Sequence, residues 1–110
     1  MRIMISASDK NKEAMVSETF GRSPYFAFYS EIQNHFDFLK NSSINHEQSV
    51  GISIAQLAID ENVDAVICKK LGPKALRVIQ SSQIPVYEAP TGTLEELVDA
   101  FKKGTLTRLV

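Results

Sequence analysis

The residues best suited to chemistry in this chain are cations set beside glycines and prolines. The first group is Phe20-Gly21-Arg22-Ser23-Pro24-Tyr25-Phe26, where a glycine able to turn tightly precedes a guanidinium and a proline stiffens the entry into a strand. The second is Cys68-Lys69-Lys70-Leu71-Gly72-Pro73, a thiol and two ammonium groups ahead of a glycine-proline helix start. Such residues hold anions. The competing reading of the first group is a turn before an edge strand, with Arg22 bonded to Glu18, and of the second a solvated strand end. Cys68 beside two lysines would have a lowered pKa and an available thiolate, whereas at the end of a buried strand it would be a small apolar filler. His35 and His46 are the only imidazoles.

These residues need a scaffold, and the pattern supplies one. The chain has 110 residues, enough for one ordinary core, so a single domain over 1–110 is expected. An apolar fraction of 44% with no membrane-length apolar run marks a globular protein without a membrane span. A net charge of -1 argues against a general nucleic-acid binder. The short apolar start does not resemble a signal peptide and one cysteine allows no internal disulfide, so a cytoplasmic location is expected.

Strands are expected over 2–7, 25–30 and 35–40, then a helix capped by Ser49 and carrying Val50, Ile54, Leu57 and Ala58. Ala65 to Cys68 reads as a buried strand, and Pro73 starts a helix with Ala75, Leu76 and Ile79 turned inward. A fifth strand is expected over 84–87. Thr93 and Glu96 form a capping box for a last helix that ends at Gly104. The segment from Ser8 to Pro24 reads as a long loop. The element order βββαβαβα implies a mixed five-stranded α/β sheet of order 3-2-1-4-5 with helices on its faces.

This topology brings four loops to one sheet edge: 8–24, 41–51, 69–73 and 88–92. The last three feed helix N-termini, whose unpaired N–H groups favour an anion. Arg22, Lys69, Lys70 and Lys74 arrive at the same edge. The expectation is therefore a crevice for an anionic ligand, contacted by Ser8, Gly21, Arg22, Ser49, Gly51, Lys69, Gly72, Thr91 and Gly92. His46 and Cys68 are the candidate metal ligands, with a solvated loop histidine as the alternative for His46. His35 falls near the opposite edge.

The run Val16-Ser17-x-x-Phe20-Gly21-Arg22-Ser23-Pro24-Tyr25-Phe26, the helix entered through Gly51, Val66-Ile67-Cys68-x-x-x-Gly72-Pro73-x-Ala75 and Gly92-Thr93-x-Glu95-Glu96 together resemble a known family. It is the dinitrogenase iron-molybdenum cofactor biosynthesis family of NifX/NafY-like small proteins, and the similarity covers nearly the whole chain. The resemblance implies a ribonuclease-H-like three-layer fold. It also implies non-catalytic binding or carrying of the iron-molybdenum cofactor, its iron-sulfur precursor or a related metal-sulfur cluster, with cofactor-assembly proteins as partners.

One cysteine excludes a four-thiolate cluster site within the chain, so capture of a preformed anionic cluster by cations and N–H groups is the expected means. A metal-dependent nuclease on such a fold would need several converging carboxylates. Asp9 and Glu88 follow the first and last strands, but the fourth ends in Cys68-Lys69-Lys70 without an acid. The nuclease reading fails there. A regulatory or adaptor domain, binding a phosphate-containing small molecule at the helix ends or a protein through the exposed third strand, is the alternative.

Overall fold

The structure, a computed structural model, describes residues 1–41 and 50–109. β1 (Arg2–Ala7) is buried from Ile3 to Ala7, as a strand with apolar residues on both faces must be. β2 (Tyr25–Ser30) and β3 (His35–Lys40) follow as a hairpin, whose turn is closed by Asn34 at φ 51°. Asparagine tolerates that left-handed backbone better than most residues. Then come α1 (Val50–Asp60), β4 (Ala65–Cys68), α2 (Pro73–Ser81), β5 (Val86–Glu88), α3 (Leu94–Lys103) and β6 (Thr107–Arg108). Among the described residues no helix is long and apolar enough to cross a membrane.

The sheet runs β3-β2-β1-β4-β5-β6, so the expected order is present with one strand added. β1 is antiparallel to β2 and parallel to β4, and β4 is parallel to β5. β6 pairs antiparallel with β5 through Tyr87–Arg108 and Glu88–Thr107. Two exposed polar residues carry no period that sequence reasoning could detect. β5 begins two residues later than expected because Pro85 has no N–H for a ladder; its carbonyl accepts from Val66 N at 3.0 Å instead.

Alternation along β1 divides the core. Met4 joins Phe26, Phe28, Val66 and Cys68 on the face covered by Ile54, Ala55, Ala58, Ala75 and Ile79 of α1 and α2. Ile3, Ile5 and Ala7 join Ala27, Tyr29 and Ile67 on the face covered by Leu94, Leu97 and Val98 of α3. The result is a three-layer α/β fold. In α2 the inward stripe is Ala75, Val78 and Ile79; Leu76, expected inside, is half-buried and outside that cluster. The spacing i, i+3, i+4 from Ala75 selects Val78 over its neighbour.

α3 is capped at both ends. Thr93 Oγ1 accepts from Glu96 N at 3.2 Å, and Glu96 Oε1 accepts from Thr93 N at 2.9 Å. Gly104, at φ 72°, turns the chain out of the helix, where a side chain would strain the backbone.

Candidate functional site

The segment from Ser8 to Pro24 is tied down along much of its length. Ser8 N donates to Met15 O at 2.9 Å and Ser17 N to Ser6 O at 2.9 Å, closing the segment back on β1. Val16 N reaches Gly92 O at 3.0 Å, and Phe20 N reaches Lys70 O at 3.1 Å. Leu94 N and Glu95 N donate in turn to Ala14 O and Lys12 O. Ala14, Val16 and Phe20 are buried, with Phe20 edge-on to Phe26 at 5.9 Å. The expected loop is thus a strap laid over the ends of β1 and β4 and the start of α3. No periodicity announced it, because most of its bonds are backbone to backbone.

The Gly21–Pro24 turn is fixed from two sides. The buried Ser23 hydroxyl lies 2.9 Å from Ala7 O and 2.7 Å from Tyr25 O, so its one proton is shared or alternates between them. Asn41, at the end of β3, donates its side-chain N–H groups to Gly21 O and Ser23 O, each at 2.8 Å, and its backbone N–H to Pro24 O at 3.0 Å. Arg22 is exposed at the head of this clamp. Asn41 was legible only as the start of a polar loop; its partners lie in a segment 18 to 20 residues earlier.

Lys69 joins three loops. Its Nζ donates to Glu18 Oε1 at 2.9 Å on the strap and to Thr91 Oγ1 at 2.8 Å on the β5–α3 connection. Glu18, the alternative partner considered for Arg22, therefore gives this oxygen to Lys69. Lys70 is exposed and holds the strap through its carbonyl, and Lys74 is exposed on the first turn of α2. Ser8 is exposed, with its N–H committed to Met15.

The helix ends differ in what they can offer. α2 starts at Gly72, whose backbone is extended and which provides no side-chain cap. At the α3 end the N–H groups of Thr93, Leu94, Glu95 and Glu96 all have acceptors, and Glu95 and Glu96 add negative charge. None of these four N–H groups is left for an anion, against the expectation of three receptive helix ends. Gly92 is buried and accepts from the strap, while Thr91 is exposed. Gly51 lies in the first turn of α1; Ser49 and His46 lie outside the described residues.

Cys68 does not reach the rim. It is fully buried in the core beneath α1 and α2, and burial pushes its thiol from 9.0 up to about 12. Desolvation thus overrides the neighbouring lysines, and of the two readings of Cys68 the small apolar filler is the one observed. Cys68 faces the core as a neutral thiol. Sequence reasoning also missed Ser6, whose buried Oγ has no hydrogen-bond partner among the described residues. His35 lies 3.2 Å from Asp37 at the opposite end of β3 from Asn41. Among the described residues, no three His, Cys, Asp or Glu side chains converge to hold a metal ion. The rim instead combines the ammonium of Lys69, the neighbouring cations and an open helix end.

The Methanocaldococcus jannaschii protein MJ0580 is 32% identical over 97 residues, covering 84% of this chain and 81% of its own length. The apo orange protein of Desulfovibrio gigas superposes with a TM-score of 0.90 at 23% identity, covering 96% of this chain and 89% of that one. A Thermotoga protein provisionally called NifB superposes with a TM-score of 0.85 at 28% identity, over 98% of this chain and 92% of that one. The family model described as dinitrogenase iron-molybdenum cofactor matches residues 1–104. With that match spanning nearly the whole sequence, the chain belongs to the dinitrogenase iron-molybdenum cofactor family.

Proposed function

We propose that this chain binds or carries an anionic metal-sulfur cofactor, the iron-molybdenum cofactor or a related cluster, without catalysing a reaction. The observation that carries this is the placement of Lys69, 18% exposed, at the rim where the strap, the β4–α2 connection and the β5–α3 connection meet. A lysine so enclosed presents a fixed positive charge in a chain whose net charge is -1. Arg22 on its clamped turn and the open end of α2 extend the same potential.

The cargo would be held by charge and N–H groups, with contacts at Ser8, Gly21, Arg22, Lys69, Gly72, Thr91 and Gly92 and with Ser49 and Gly51 from the α1 side. His46 is the one candidate protein ligand that remains, since the Cys68 thiol is buried and neutral. A carrier of this kind exchanges cargo with cofactor-assembly proteins, and the cytoplasm is the compartment proposed for it. An anaerobic titration with preformed cluster, read by absorbance and metal analysis, tests the proposal. Uptake by the unaltered chain, weakened by Arg22→Ala or His46→Ala, is the expected result. Unchanged affinity in both variants would sink the proposed site.

The uncapped start of α2 also suits a phosphate group, which supports a regulatory or adaptor role as the second reading. It would appear as binding of a phosphate ester by protein that takes up no metal.

A further inference from the structure

The Lys69–Glu18 pair is lopsided. The lysine side chain is 18% exposed and its ammonium is also tethered to Thr91 Oγ1 at 2.8 Å, whereas the Glu18 side chain is 78% exposed. Apart from this pair, Glu18 has no hydrogen bond or ion pair to any described residue. The strap backbone is anchored on both sides of it, by Ser17 N to Ser6 O and by Phe20 N to Lys70 O. Glu18 can therefore leave by a side-chain rotation alone, while the cation stays where it is. Thr91, which accepts from Lys69, keeps its own hydroxyl proton to donate to a newcomer.

We propose that the Glu18 carboxylate is the resident anion of this rim, occupying Lys69 until a multiply charged anion displaces it. The inference rests on the reading of the rim as an anion site. A carboxylate held beside Lys69 by an anchored backbone competes at a high effective concentration, so a monovalent anion such as chloride does not replace it. A tetrahedral dianion carries more charge and has corners enough to engage both Lys69 Nζ and the Thr91 hydroxyl, which a single carboxylate oxygen does not. Glu18 thus sets a charge threshold for entry.

Isothermal titration with sulfate at low ionic strength tests this on the intact chain, using the unaltered protein, Glu18→Gln and Lys69→Met, with chloride as the monovalent control. The expected result is sulfate binding about two- to fivefold tighter in Glu18→Gln, the range a lost pair of this exposure gives, with chloride competing only in that variant. Lys69→Met should abolish binding. Equal or weaker binding by Glu18→Gln, with Lys69→Met still damaging, would overturn the resident-anion role and leave the rim standing as an anion site. Sulfate affinity unchanged in Lys69→Met would overturn both. Glutamine keeps the length and shape of residue 18, so the unfolding midpoint serves as a check that the fold is intact.

Discussion

The side-chain nitrogen of Asn41 donates to the carbonyl oxygen of Gly21 at 2.8 Å, joining the end of β3 to the turn that presents Arg22. The same nitrogen serves Ser23 O, so one amide satisfies two carbonyls. Asn41→Ala leaves both without this donor in a buried setting and should cost about 1–3 kcal/mol. Chemical denaturation measures the loss, and under the proposed function cluster affinity should fall with it because the turn no longer holds Arg22 in place. A variant of unaltered stability would show that the turn is held by other means.

Replacing Ser6 should have the opposite sign. Its hydroxyl is fully buried and has no partner among the described residues, so desolvating it is uncompensated. Ser6→Ala removes the group without leaving another unpaired and should stabilise the chain by roughly 1 kcal/mol. The check is a rise in the thermal midpoint.

Cys68 gives a pH dependence. Its folded value of about 12 lies above the ordinary 9.0, so the unfolded chain loses this proton first as pH rises. The stabilising contribution is complete below pH 9, declines through the interval up to about 12, and falls by at most about 1.4 kcal/mol per pH unit there. Cys68→Ala should flatten that part of the stability profile. At pH 8 the native thiol should resist alkylation that proceeds readily once the chain is denatured.

The capping box predicts a local cost. Thr93→Ala removes the acceptor for Glu96 N and should destabilise the chain by about 1 kcal/mol. Thr93→Ser keeps an oxygen at that position and should recover most of it. Hydrogen exchange would locate the loss in the first turn of α3, with Leu97 and Val98 less affected.

What could be read from the sequence, and what could not, follows the range of the interactions involved. β1, β2 and β3, the burial of Ala65 to Cys68 and the Thr93–Glu96 box were legible because each is written in adjacent residues: a period of two, a continuous apolar run, a polar pair three apart. Strand order followed from the handedness of crossovers. The strap was not legible, since its bonds to Gly92 and Lys70 join backbones distant in sequence. The same holds for Asn41, a turn-type residue that looked like the start of a loop. For Cys68 the buried run pointed to a filler and the adjacent lysines to a thiolate, and only the depth of burial decides between the two signs. The saturation of the α3 end depended on Ala14 and Lys12 carbonyls supplied from another element.

The strap has one more implication, for how this chain tolerates change in length. Between Ala7 and Tyr25 the backbone must meet Leu94 from Ala14, Gly92 from Val16, Ser6 from Ser17 and Lys70 from Phe20, in that order and each at hydrogen-bond distance. It behaves as a measured span. Side chains at 9–13 are exposed, but adding or removing one residue between Ala14 and Phe20 would slip every later anchor off its mate. Relatives that keep this rim should therefore differ in that interval by substitution, with insertions gathering instead at the exposed 31–34 turn.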